Sequence, residues 1–368
     1  MSNEKIAFLL PSLGSGGAER VVTILANELV KERPVTIITY STGNPYYQLS
    51  PEIKLFHCTD SINPSSSLLE AIKTNIKILK ALVNILKEQK INLIIGFLTS
   101  ANVLSIIAAK ICSIKAIISI RNNPDKDRPT KFWSILTRLT YPFANHVTVQ
   151  TSPIKKILSN YVSNNKISIL PNPLNPDFAN KRNKDTPKQK IILSVGRFTD
   201  QKNHEMLIRS FGKIPIGDWR LIIVGDGEKR IEYEQLIKEL KLQNSVDLPG
   251  RKKDIYEYYN SASIFAFSSI FEGFPNALLE AMYFGLPCIS TNCPTGPSEL
   301  ISNEVNGFLV DVNDTEAFSV GLQKLIDSPD LRSEFGNNAS KSVEKYELRK
   351  IIQNWNSLIN DCLVKNYI

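Results

Sequence analysis

Short apolar, β-branched runs recur along this chain, each followed by a stretch whose apolar residues repeat at helical spacing. That alternation restricts the fold more than any other feature. KIAFLLPSL precedes a helical pattern from about Ala18 to Lys31, and VTIITY, INLIIGFL, AIISIR and HVTVQT follow with helical segments between them. Continuous apolar strands joined through helices read as right-handed crossovers that build a parallel sheet covered on both faces. The pattern breaks at PNPLNPDFANKRNKDTPKQK, which is rich in Pro, Asn and Lys and has no periodic apolar face. It restarts with KIILSVGRF, WRLIIVGDG, VDLPGR, IFAFSS, PCISTN and NGFLVD. The reading is an α/β chain with a first domain over 1–172, a linker over 173–189 and a second domain over 190–347. The last helix, about 348–368, folds back on the first domain in this reading. A chain of 368 residues accommodates two domains of about 150 residues each.

The apolar run IAFLL follows an acid and a base and precedes PSLGSGGAER, so it lacks the charge layout and cleavage site of a signal peptide. The stretch LIIGFLTSANVLSIIAA carries Gly, Thr, Ser and Asn at its middle and falls short of the ~20 apolar residues of a membrane span. A cytosolic chain is expected. Cys58, Cys112, Cys288, Cys293 and Cys362 are widely spaced and read as reduced thiols rather than zinc ligands or a disulfide framework. The net charge of +8 is unevenly spread: residues 1–190 hold 25 Lys and Arg against 12 Asp and Glu, and residues 191–368 hold 19 against 24. The basic half is expected to meet something anionic, such as a bilayer surface or a phosphorylated acceptor.

The stretch FEGFPNALLEAM places Glu272 on a turn after the strand IFAFSS and Glu280 about one turn inside the following helix, on the face of Asn276. The helix N-terminus presents unpaired N–H groups and a partial positive charge, which suits phosphate, and both acids border that position and can accept hydrogen bonds from sugar hydroxyls. SVGRFTDQKNHEML supplies the complement, with Arg197 at a strand end and Lys202 just before a helix. Two cations and a helix tip can neutralise a departing diphosphate in place of a metal ion. IIVGDGEKR is a further strand-to-helix turn whose Gly225 and Gly227 permit close backbone approach, a candidate base-binding site.

In the first half, PSLGSGGAERV joins strand to helix. Gly14, Gly16 and Gly17 do not make the dinucleotide fingerprint, and VTIITY ends in Tyr-Ser-Thr-Gly without the acidic residue that a ribose contact needs, so a nicotinamide dehydrogenase is disfavoured. Asp125-Lys126-Asp127 matches an Asp-x-Asp metal motif, but it sits in a loop of alternating charge and carries little weight against the two-domain pattern. No metal is expected. Of His57, His146 and His204, His146 opens a strand and reads as structural.

Taken together, GSGGAER, VGRFTDQKN, IIVGDGE, LPGR, FEGFPNALLEAM and EVNGFLV resemble, in order and interval, the retaining nucleotide-sugar glycosyltransferases of family 4, over nearly the whole chain. The resemblance implies a GT-B fold: two Rossmann-like, doubly wound parallel-sheet domains facing across a cleft, with the donor held mainly by the second. Arg197 and Lys202 would hold the diphosphate, Glu280 the ribose hydroxyls and Glu272 the transferred sugar, with Gly273, Phe274, Pro275 and Asn276 packing the pyrophosphate and sugar. Gly225, Gly227 and Arg251 would complete the donor site, and Gly16 and Gly17 would lie against the donor phosphates or the acceptor. The anomeric configuration would be retained. Many relatives carry a histidine after a strand in the middle of the first domain; here IISIRNNP offers Arg121 and Asn122, and Arg121 is the candidate for the sugar or phosphate contact.

Two first-domain segments combine bases with apolar residues. In SLLEAIKTNIKILKALVNILKEQK, Lys73, Lys77, Lys80 and Lys87 share a broad face beside a stripe of Ile72, Ile76, Leu79, Val83 and Leu86. RPTKFWSILTRLTYPF sets Arg128, Lys131 and Arg138 beside Phe132, Trp133, Ile135, Leu136 and Leu139. Each alone fits a solvated helix packed on a core. With the basic half they support peripheral binding to the anionic inner face of the cytoplasmic membrane. The expected partners are a nucleotide sugar, a UDP-sugar favoured, and a lipid-linked or growing glycan acceptor in cell-surface polysaccharide assembly, with no nucleic acid and no cofactor. The alternatives are a nucleotide-sugar epimerase on the same scaffold and a sugar-nucleotide-binding protein without catalysis.

Overall fold

In the computed structural model, residues 3–62, 67–123 and 130–364 are described. Asp125, Lys126, Asp127 and Arg128 lie outside them, so the Asp-x-Asp motif has no structural account. The chain divides into two compact units, Met1–Pro173 with Leu348–Ile368, and Leu174–Glu347.

The five residues of β1 (Ile6–Leu10) are fully buried because the strand runs through the middle of a parallel sheet. Around it the first unit arranges α1 (Gly17–Leu29), β2 (Val35–Ser41), β3 (Lys54–Thr59), α2 (Leu68–Glu88), β4 (Leu93–Phe97), α3 (Thr99–Cys112), β5 (Lys115–Ser119), α4 (Lys131–Thr140), β6 (His146–Val149), α5 (Ser152–Leu158) and β7 (Ile167–Ile169). The sheet order is β3-β2-β1-β4-β5-β6-β7, and Ile6 pairs with Val35 on one side and Leu93 on the other. Side chains alternate across it. Ala7 and Leu9 enter a core shared with α2, α3 and α4, and Ile6, Phe8 and Leu10 enter one shared with α1 and the C-terminal helix.

The second unit follows the same plan with β8 (Ile191–Val195), α6 (His204–Gly212), β9 (Arg220–Val224), α7 (Arg230–Glu239), β10 (Val246–Asp247), α8 (Ile255–Ser261), β11 (Ile264–Phe267), α9 (Asn276–Tyr283), β12 (Cys288–Thr291), α10 (Pro297–Leu300), β13 (Gly307–Val310), α11 (Thr315–Asp327) and α12 (Pro329–Ser342). Its six parallel strands run β10-β9-β8-β11-β12-β13. The last helix, α13 (Leu348–Val364), returns to the first unit, where Trp355 is fully buried and stacks on Phe97 at 6.2 Å, and Arg33 Nη2 donates to Asn360 Oδ1 at 2.8 Å.

The alternation of strands and helices thus builds the doubly wound α/β class expected from it. The sequence reading passes over β3 and β7, the two edge strands of the first sheet, whose residues are largely half-exposed and lack a continuous apolar run. The stretch read as a linker is packed from Leu174 onward: Leu174 and Phe178 enter the core of the second unit, Phe178 against Tyr259 and Phe284. On α2 the core stripe is Ile78, Leu82 and Leu86, with Leu79 and Val83 at its margin, and Ile76 is 48% exposed, which corrects the expected register.

Candidate active site

In each sheet the direction of winding reverses once, between β1 and β4 and between β8 and β11. Loops leaving the carboxyl ends of the strands at such a reversal diverge to opposite faces and leave a crevice, the usual ligand position in open α/β sheets. The loops after β8 and β11 carry VGRFTDQKN and FEGFPN, so the topology brings together the two segments that sequence reasoning selected.

Their contact is extensive. Lys202 Nζ lies 2.5 Å from Glu272 Oε1, and the ammonium sits 5.1 Å from the centre of the Phe267 ring. Gln201 Nε2 donates to Phe271 O, Ile270 N donates to Gln201 O and Ser268 Oγ donates to Lys202 O, each at 2.8 Å. The Glu272 side chain is only 8% exposed and that of Lys202 17%, so the pair is close to fully desolvated. Arg197 and Arg251 are exposed. Asn276 opens α9 with Pro275 as its N-cap, so the amide-lined tip of this helix stands next to Glu272 along the chain. Phe274 is buried against Tyr346 and serves the core as well as the turn.

Glu280, in the second turn of α9, is 5% exposed and accepts from Tyr259 Oη at 3.1 Å. Tyr259 is itself fully buried and stacked on Phe284, so it fixes the direction of the carboxylate. Sequence reasoning missed Tyr259, because nothing local links α8 to α9. It also missed the TGPSE turn that backs Glu272. Thr295 Oγ1 donates to the backbone oxygen of Glu272, and Gly296, at φ +102°, lies so close to Pro275 that an added Cβ would fall 2.6 Å from its Cδ. A Gly-Pro pair a few residues after the strand PCISTN was the available signal.

Gly225 and Gly227 have a packing reason of their own. A Cβ at Gly225 would lie 1.8 Å from Gly196 O, and one at Gly227 2.5 Å from Phe198 O. The loops after β8 and β9 are laced by Gly196 N to Val224 O, Phe198 N to Asp226 O and Lys229 N to Phe198 O. His204, behind these loops, is buried edge-on to Phe198 and Tyr233; burial, reinforced by the Lys202 charge, lowers its pKa to about 3 and keeps it neutral.

In the first unit, Gly16 caps α1, and the Glu19 carboxylate folds back so closely that a Cβ on Gly16 would meet it at 2.1 Å. Gly17 is the first residue of that helix. Arg121, just past β5, is 7% exposed. Its Nη1 donates to Asn172 Oδ1 at 2.7 Å, and its guanidinium lies 4.6 Å from the Phe97 ring centre and 5.9 Å from that of Trp355. Asn172 Oδ1 also accepts from Gln150 Nε2 at 2.8 Å. Among the described residues no carboxylate pairs with Arg121, its Nε and Nη2 have no hydrogen-bond partner, and burial lowers its pKa to about 9. His146 bonds Ser168 Oγ at 2.9 Å, a structural role. No group of three or more His, Cys, Asp or Glu suited to a metal ion occurs among the described residues. Neither does a helix long and apolar enough to cross a membrane.

Residues 15–178 match the family described as Glycosyltransferase Family 4 and residues 177–342 match Glycosyl transferases group 1. The chain is 32% identical over 368 residues to a Campylobacter jejuni protein named GalNAc-alpha-(1->4)-GalNAc-alpha-(1->3)-diNAcBac-PP-undecaprenol alpha-1,4-N-acetyl-D-galactosaminyltransferase, covering 98% of this chain and 99% of that protein. It is 27% identical to the Escherichia coli UDP-Gal:alpha-D-GlcNAc-diphosphoundecaprenol alpha-1,3-galactosyltransferase, covering 97% of this chain and 96% of that one. Its fold superposes on a glycosyltransferase from Rickettsia africae with a TM-score of 0.80 at 23% identity, over the full length of both chains. A relative of this identity spanning almost the whole chain, two family matches that meet near residue 178 and a pair of doubly wound units lead to one conclusion: the chain belongs to glycosyltransferase family 4, with the GT-B fold.

Proposed function

We propose that this protein transfers a sugar from a nucleotide sugar, a UDP-sugar favoured, to a hydroxyl of an undecaprenyl diphosphate-linked glycan during assembly of a cell-surface polysaccharide, with retention of configuration and without a divalent metal. The observation that carries the proposal is the Lys202–Glu272 pair at the reversal point of the second sheet, beside the amide-lined tip of α9. An ammonium that a diphosphate can draw away from its carboxylate leaves that carboxylate to accept from hydroxyls of the transferred sugar. Arg197 adds a second cation, and Tyr259 presents Glu280 to the ribose. The acceptor oxygen attacks the anomeric carbon on the face from which the nucleoside diphosphate departs. The C–O bond to the β-phosphate breaks, a C–O bond to the acceptor forms, and the acceptor proton passes to the leaving phosphate oxygen. Fixed cations and helix dipoles stabilise the developing charge without reorganising. The undecaprenyl diphosphate acceptors in the names of the relatives support the acceptor class, and the UDP-galactose donor of one of them supports the base.

The membrane-bound acceptor calls for a surface that meets lipid. On α4 and the turn after it, Ile135, Leu139 and Phe143 are each 60% or more exposed beside exposed Lys131 and Arg138, and Trp133 and Leu136 anchor the helix to the core. This strip is the proposed contact with the inner face of the cytoplasmic membrane.

Incubation with radiolabelled nucleotide sugars and a bacterial membrane extract, with and without EDTA, tests the reading. Label entering the lipid fraction equally in both supports metal-independent transfer. A changed free sugar nucleotide points to epimerisation. Loss of transfer in EDTA returns a role to Asp125 and Asp127.

A further inference from the structure

The loop between β2 and β3 is hydrogen-bonded to the glycine-rich loop after β1. Tyr46 N donates to Leu13 O at 2.9 Å and Tyr47 Oη donates to Ser15 O at 3.2 Å. Further along, Asn27 Nδ2 donates to Gln48 O at 3.0 Å and its Oδ1 accepts from Ser50 N at 2.9 Å, while Leu49 packs on the core. Tyr46 and Tyr47 meet edge to face with ring centres 5.0 Å apart. In spite of this bracing, Tyr46 is 62% exposed. A large ring whose backbone is bonded in place and which meets the Tyr47 ring, yet which is turned to solvent, offers a flat apolar face to a ligand. At the tip of α1, just after the glycine-rich loop, the Glu19 carboxylate lies against Gly16. A carboxylate there can accept from hydroxyls. The loop leaves β1 at the reversal point of the first sheet, where a ligand is expected.

We infer that Tyr46, Glu19 and the glycine-rich loop form a saccharide subsite for the acceptor: the Tyr46 ring stacks on the C–H face of a pyranose and Glu19 accepts from its hydroxyls. The inference rests on the glycosyltransferase reading for the identity of the ligand and takes the acceptor side of the expectation that Gly16 and Gly17 lie against the donor phosphates or the acceptor.

Binding and turnover together test it. In saturation-transfer NMR with methyl glycosides of N-acetylglucosamine and N-acetylgalactosamine, the full chain and Tyr46→Trp transfer saturation to the ring C–H protons and Tyr46→Ala does not. In the membrane-extract assay, Tyr46→Ala raises the apparent KM for extract about tenfold, as loss of one stacked ring does, with the KM for nucleotide sugar and the melting temperature unchanged. Glu19→Gln raises the same KM severalfold. Equal saturation transfer in Tyr46→Ala overturns the subsite whether or not transfer is seen. A rise in the nucleotide-sugar KM alone also overturns it, because the ring then stacks on the donor base. Saturation transfer that depends on Tyr46, with no label entering lipid in the wild type, keeps the subsite and refutes the transferase reading.

Discussion

Lys202 Nζ and Glu272 Oε1 lie 2.5 Å apart although 70 residues separate them in the chain. The contact follows from topology: β8 and β11 are neighbours in a parallel sheet, so the loops leaving their carboxyl ends meet. The pair is nearly desolvated, and removing one member leaves the other as an uncompensated charge. Lys202→Ala is therefore expected to lower turnover on the order of 100- to 1,000-fold, as loss of one charge-stabilising donor does, and to lower the melting temperature as well. Lys202→Met with Glu272→Gln removes both charges, and it should regain the stability without regaining the activity. Steady-state kinetics and thermal melts on the same preparations check this; normal turnover in Lys202→Ala removes the residue from the site.

Tyr259 touches the donor only through Glu280 in this scheme, so it is a positioning residue. Tyr259→Phe keeps the ring stacked on Phe284 and deletes the hydroxyl that donates to Glu280 Oε2. The KM for nucleotide sugar is expected to rise roughly tenfold, the effect of a hydrogen bond to a charged group, with kcat changed less. A fall in kcat at constant KM would place the hydroxyl in the chemical step instead.

How far the site was legible from sequence depends on how local each signal is. Glu272, Glu280, Lys202 and the α9 tip were visible because strand, turn and helix follow one another within a dozen residues. Thr295 and Gly296 were not, since their reason is the back of a turn some twenty residues earlier. Gly225 and Gly227 were visible for an incomplete reason: the turn is tight, but the crowding comes from Gly196 and Phe198 on another loop. The misplaced stripe on α2 has a similar origin. Ile72, Ile76, Leu79 and Val83 fit a helical period as well as Ile78, Leu82 and Leu86 do, and only packing on α3 and β3 decides between them.

On the membrane side, the exposed strip Ile135, Leu139 and Phe143 competes with the α2 lysines as the contact surface. Leu139→Ser with Phe143→Ser should reduce co-sedimentation with phosphatidylglycerol vesicles by at least about tenfold, since each buried apolar side chain contributes about 1.5–3 kcal/mol. Charge reversal at Lys73, Lys77 and Arg138 should weaken binding mainly at low salt, where screening is least. If the serine pair leaves sedimentation unchanged, α4 does not face lipid.

His204 offers a pH test of the loop packing. Its folded pKa, near 3, is depressed below the unfolded value of about 6.5, so its stabilising contribution is complete above pH 6.5 and is lost as pH falls toward 3. By pH 5 the loss is about 2 kcal/mol, at about 1.4 kcal/mol per pH unit. For a unit of this size that is several degrees of melting temperature. His204→Leu should flatten this part of the profile between pH 7 and 5. An unchanged slope would mean that the ring protonates in place.

Arg121 presents the sharpest conflict between stability and function. A buried guanidinium with no carboxylate partner among the described residues costs free energy, and its stacking on Phe97 and Trp355 offsets only part of it. Arg121→Met fills similar volume and keeps a contact with both rings while deleting the charge. The Asn172–Gln150 bond remains. The melting temperature is expected to hold or rise by a few degrees, and sugar transfer to fall by tenfold or more, because a cation kept at such cost is kept for an anion or a polarised sugar oxygen. Thermal melts and the lipid-transfer assay on one variant decide it. Stability gained with activity intact would make Arg121 dispensable to the reaction, and stability lost would show that the charge is compensated within the fold.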